Sequence, residues 1–132
     1  MADQPDIQLI ANLVVLRPDG RVLFVRYHAD DERWWLPGED LKPYEHPDER
    51  ARAILDGLRG LRVESMALEE IESFRGRRGW HVSFTYRVHA DGEPDADFPA
   101  EWFPPDGLPR TMHGRWERDR VDRVLATAGG SG

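Results

Sequence analysis

Trp34–Leu61 reads WWLPGEDLKPYEHPDERARAILDGLRGL. Three apolar residues run into Pro37-Gly38, a strong turn signal, and an acidic loop follows. A helix is expected to start at Pro47. Proline suits the first helical position, and Asp48 and Glu49 complement the helix dipole in the first turn. Ala51, Ile54, Leu55 and Leu58 recur at helical spacing, with Glu49, Arg52, Asp56 and Arg59 on the wet stripe. Gly60 reads as the C-terminal stop. Gly57 then lies inside the helix, at a cost of about 1 kcal/mol relative to alanine.

Upstream, Ile7–Leu16 (IQLIANLVVL) and Arg21–Tyr27 (RVLFVRY) are two β-rich runs joined by a tight turn at Arg17–Gly20, so they read as a hairpin. Both carry apolar residues on both faces, which implies a sheet covered on both sides. His28–Arg33 is a polar loop. Downstream come a strand within Leu61–Phe74, a glycine-bounded turn at Arg75–Gly79 (RGRRG) and an alternating strand at Trp80–His89 (WHVSFTYRVH). Asp91–Pro99 reads as a polar loop, Ala100–Phe103 as a short strand, and Trp116–Ala126 as a terminal helix. The expected order is β-β-α-β-β-β-α. It makes one α+β domain over residues 1–128, with a flexible Gly/Ser-rich tail at 129–132.

A chain of 132 residues suffices for one compact domain with a real core. The formal net charge of −7 argues against nonspecific adhesion to nucleic acid, although a local site can still be basic enough for a polyanionic ligand. The absence of cysteine excludes disulfides, thiolate catalysis and thiolate zinc sites, and it fits a reducing compartment. The acidic start MADQPDIQL does not read as a signal peptide, and no apolar run is long enough to span a membrane, so a cytoplasmic location is expected. His28, His46, His81, His89 and His113 show no paired metal spacing. Neither a P-loop or Rossmann glycine pattern nor a nucleophile elbow is present.

From Gly38 to Leu61 the chain resembles the Nudix superfamily, whose box is G-x5-E-x7-R-E-U-x-E-E-x-G-U, with U aliphatic. Gly38 matches the opening glycine. Glu45 matches the first glutamate one residue late, so the loop carries an insertion. Leu55 takes the first aliphatic position, and Gly60-Leu61 closes the box. WWLPGE resembles the usual W-x-L-P-G-G approach, with Glu39 in place of the second glycine, and EWFPPDGLP (Glu101–Pro109) resembles a late strand and D-x-L-P loop. The resemblance covers nearly the whole chain. It implies an α/β/α sandwich with a mixed central sheet, and family members are often homodimers.

The resemblance also implies hydrolysis of nucleoside diphosphate derivatives with magnesium or manganese held by clustered glutamates. Hard divalent cations need oxygen ligands, and they neutralise phosphate charge and activate water. Here the family's arginine falls on Ala53, the glutamate beside it on Ile54, and the paired glutamates on Gly57 and Leu58. Those side chains cannot coordinate magnesium. Asp56 lies two residues from both Ile54 and Leu58, roughly 200° around the helix. Of the acidic box positions only Glu45 survives, with Glu39, Asp40 and Asp48 nearby at the loop and helix start. The commoner role of such acids is a solvated loop and a dipole-matched first turn.

The leading expectation is therefore a non-catalytic module that binds a nucleotide or phosphorylated metabolite, or a partner protein, and needs no cofactor. The alternative is a divergent hydrolase with Glu45 as catalytic metal ligand for magnesium or manganese. Ligand contacts are expected from Trp34, Gly38, Glu39, Arg75, Trp80 and His81, since an aromatic stack beside cations suits a nucleotide. For most of the five tryptophans packing is the commoner role, and for the RGRRG turn a solvated tip. The apolar Ile54/Leu58 face reads as core, pocket or dimer interface.

Overall fold

The computed structural model describes residues 6–28 and 32–130. Its axis is β1 (Ile7–Leu16), whose nearly unbroken apolar run is buried on both faces. Within these residues, β4 (Arg59–Gly76), β5 (Gly79–Asp95), β1, β2 (Val22–Val25) and β6 (Ala100–Phe103) lie side by side in that order. β3 (Gly38–Asp40) also pairs with β1, through Ile10–Asn12, while β2 meets β1 at Leu16. Among the described strand pairs only β1–β5 is parallel, running from Ile7↔Trp80 to Leu16↔His89, so the sheet is mixed as expected.

The two helices lie on opposite faces because β1 alternates. Ala11, Leu13 and Val15 pack with Ala51, Ile54 and Leu55 of α1 (Pro47–Asp56). Val14, Leu16, Val22 and Phe24 pack with Val121 and Val124 of α2 (Arg115–Gly130). Two apolar layers therefore enclose the sheet, giving the expected α/β/α sandwich. Among the described residues no helix is long and apolar enough to cross a membrane.

The details differ from the sequence reading at four places. Gly38–Asp40 is a strand as well as a turn exit, flanked by Leu13 N–H to Pro37 O and Leu41 N–H to Leu9 O, both 2.8 Å. α1 starts at Pro47 as expected, with the His46 ring accepting from Asp48 N–H and Glu49 closing a capping box. It stops earlier than expected, however. Gly57 is its C-cap at φ −75°, so the helix-interior penalty does not apply. Gly60 lies in β4 at φ +93°, beside a register shift, and a Cβ there would sit 2.3 Å from Glu93 O. Its role is a bulge against β5 rather than a helix stop.

β5 continues through Asp91–Asp95, where a loop was expected. Those polar residues are held by the ladder to β4 and by ion pairs such as Arg62–Asp91, not by apolar burial, so hydrophobic periodicity did not mark them. α2 runs through Gly130, beyond the expected end at Ala126 and into the expected tail; residues 131 and 132 lie outside the described ones.

Candidate functional site

The loop before α1 folds its acids onto one cation. Arg50 donates through Nε and Nη2 to the two oxygens of Glu45, each at 2.9 Å, and through Nη1 to Glu39 at 2.6 Å. Glu45 also accepts from the Lys42 N–H at 3.0 Å. Tyr44, at φ 65° and fully exposed, reverses the chain just before Glu45. The guanidinium is buried, and its hydrogen bonds hold the Glu45 carboxyl below its ordinary range. Sequence reading missed Arg50. The available signal was spacing: it lies one turn before Ala53, on the same side of α1.

One side of the last turn of α1, and Leu58 just past its cap, is apolar and internal. Ile54 is 5% exposed and Leu58 1%, and both belong to the cluster with Leu13, Val25 and Tyr86. That face is core, so it is neither pocket nor dimer interface. Asp56 is exposed, and Asp48 accepts from the Tyr86 hydroxyl.

The other face of the sheet carries a buried polar stripe. His81, Ser83 and Thr85 alternate along β5 and all three are buried, with Thr85 the register partner of Asn12 on β1 and His81 that of Gln8. Asn12 donates to Ser83 at 2.8 Å, while Thr85 Oγ1 and His81 Nε2 have no partner. Across β5, Glu70 and Glu72 of β4 meet Arg120 and Arg123 of α2, with Arg120 Nη2 donating to Glu72 at 2.7 Å. Arg120 Nε lies 2.6 Å from Glu72 Oε1, yet neither atom makes an aligned hydrogen bond. Burial raises the Glu72 carboxyl above its ordinary range.

Glu117, 1% exposed, accepts from the His113 N–H and contacts its Nδ1, with Oε1 left without a partner. Glu72, His81, Thr85, Glu117 and Arg120 thus place buried polar atoms without aligned hydrogen bonds between the sheet and α2. The signal was present in WHVSFTYRVH as a polar stripe on a strand covered on both sides.

The six expected ligand residues divide between the faces. Glu39, Arg75 and Trp80 lie on the α1 side, where Arg75 is the register partner of Trp80. Trp34 packs with Phe103 on the α2 side, where His81 also points. Gly38 abuts Asn12: an added Cβ would sit 2.6 Å from its Oδ1. Trp80 and His81 are adjacent on one strand and face opposite ways, so one ligand does not touch both through a single surface. Trp80 is 42% exposed and donates to Ser73, and Arg78 at the hairpin tip reaches Asp40.

No protein-family model and no curated sequence matches the chain. Solved structures do. A UDP-X diphosphatase superposes with TM-score 0.74 at 14% identity, over 99% of this chain and 67% of its own. A MutT Nudix hydrolase from Burkholderia pseudomallei gives 0.69 at 21% identity, over 90% and 98%. A MutT protein from Bacillus halodurans gives 0.68 at 21%, over 89% and 82%. The chain has the Nudix fold.

The resemblance in sequence aligns the cation-holding box positions with Ile54, Gly57 and Leu58; Ile54 and Leu58 are core. The two loop carboxylates that remain, Glu39 and Glu45, are bound to Arg50. Among the described residues no group of three or more His, Asp or Glu side chains is placed to hold a metal ion. A hard dication needs several oxygen ligands, and these residues do not fit one.

Proposed function

We propose that this Nudix-fold chain is a binding module for a nucleotide or another phosphorylated metabolite, and that it does not run metal-dependent hydrolysis. One observation carries the reading: Arg50 occupies the space between Glu39 and Glu45, with Ile54 and Leu58 packed in the core behind it. A guanidinium held by two carboxylates supplies the positive charge that the acidic loop requires, and it cannot activate water as a bound dication does. The polar stripe Asn12–Ser83–Thr85 supports a ligand under α2, where unsatisfied hydroxyl and imidazole groups suit a base or sugar edge. The lack of cysteine fits a cytoplasmic setting. A homodimer would use a surface other than Ile54 and Leu58.

The test combines calorimetry and product release on nucleotides, sugar nucleotides and dinucleotides, with magnesium, manganese or chelator. The expected result is binding that ignores the metal, weakens in Ser83→Ala/Thr85→Val and yields no product. Metal-dependent turnover that disappears in Glu45→Gln would overturn the reading. Absence of binding by the folded protein would remove its ligand half and favour a protein partner.

A further inference from the structure

A groove of about 710 Å³ lies between the loop after β6, the first turns of α2 and Phe24 of β2. Arg110, Arg115 and Arg118 line it, and Arg33 joins them. Phe24, Leu108 and Met112 supply an apolar wall, and no acidic residue lines it among the described residues. This is unusual in a chain of net charge −7. Elsewhere Arg17, Arg50, Arg59, Arg87, Arg120 and Arg123 each sit in an ion pair with a carboxylate. The side chains of Arg110, Arg115 and Arg118 make no such contact among the described residues.

The cause is the way α2 distributes its cations. Arg120 and Arg123 reach the glutamates of β4. Arg118 lies two residues before Arg120, roughly 200° around the helix, and Arg115 is one turn before Arg118 on the same side. That side faces β2 and the loop; Asp119 and Asp122, each four residues on, form no ion pair with Arg115 or Arg118 among the described residues and do not line the groove. Arg110 is held in place by the backbone: Trp34 N–H donates to Arg110 O and Met112 N–H to Trp34 O, both at 2.9 Å. Thr111 Oγ1 closes the loop onto Gly114 O at 2.7 Å. Three like charges are thus gathered on a fixed frame, and a bound anion would relieve their mutual repulsion.

We propose that this groove is a second binding site, for a small molecule that carries a diphosphate or two phosphates on an apolar or aromatic body. Guanidinium groups match phosphate oxygens in paired hydrogen bonds, and three of them match more than one phosphate. The volume falls within the roughly 300–1,000 Å³ of small-molecule pockets, whereas a nucleic acid needs a long basic stripe. The site is separate from the polar stripe of β5, because α2 stands between them.

Calorimetry with inorganic pyrophosphate and with ADP, in chelator, tests the assignment. Arg115→Gln/Arg118→Gln changes only exposed side chains, and Arg52→Gln, an exposed arginine on α1, is the control. The wild type is expected to bind both probes, with affinity falling as salt rises from about 0.1 M to about 1 M. The double variant is expected to lose at least about tenfold in affinity, and Arg52→Gln and Ser83→Ala/Thr85→Val to keep pyrophosphate binding. No pyrophosphate binding by folded wild type would overturn the proposal. So would equal binding by the double variant, or a loss confined to the Ser83/Thr85 variant, which would move the phosphates to the β5 stripe.

Discussion

Leu58→Ala decides whether the box face of α1 is core or cleft. Leu58 is 1% exposed and packed among buried neighbours. Truncation removes three buried carbons, at about 0.8 kcal/mol each. The cavity left behind adds about 24 cal/mol per Å³, which brings the expected loss to about 3 kcal/mol. With a urea slope of about 2 kcal/mol/M, the unfolding midpoint falls by about 1.5 M. Five tryptophans report the transition by fluorescence. Ile54→Ala should behave similarly, and Leu58→Glu should cost more because it buries a carboxylate. If both alanine variants lie within about 0.5 kcal/mol of wild type, or Leu58→Glu is as stable as wild type, the face is open to solvent and the argument for a closed box fails.

Further outcomes follow from other contacts. Glu45 has a depressed carboxyl, so its contribution to stability is full above its unfolded value of about 4.5 and is lost as pH falls through the folded value. The stability gap between wild type and Glu45→Gln should therefore narrow in acid, measured by urea titrations at stepped pH, and a gap that stays constant as pH falls well below about 4.5 would refute the pairing. Gly57→Ala should be neutral or stabilising by about 0.4–1 kcal/mol, since φ is ordinary there. Gly60→Ala should destabilise by about 2 kcal/mol or more, because its φ is positive and Glu93 O blocks a Cβ. Thermal unfolding of the two separates a helix that ends at Gly57 from one that ends at Gly60. Arg120→Met should raise the Glu72 pKa further, since the guanidinium is the main influence opposing burial; a fall in carboxyl NMR titration would contradict it.

Much of the architecture was legible because it is locally encoded. The two-faced apolar run of β1 requires a covered sheet, Pro47 with two acids starts a helix, and Gly76 and Gly79 bracket a tight turn. These are short-range consequences of side-chain shape and backbone freedom. The extension of β5 through Asp91–Asp95 was not legible, because ladder hydrogen bonds leave no hydrophobic period behind.

The chemistry of the site depends on residues far apart in the chain. Sequence by itself determined that Ile54, Gly57 and Leu58 cannot hold a dication through their side chains. Only the tertiary structure decided what stands there instead. Glu39 and Arg50 meet across 11 residues, and Glu72 and Arg120 across 48. Which carboxylate an arginine finds is set by how strands and helices stack, and composition carries no record of it. The same holds for the groove: Arg110, Arg115 and Arg118 are ordinary surface residues in the sequence, and they become a site because α2 turns Arg120 and Arg123 toward the acids and leaves the others without them.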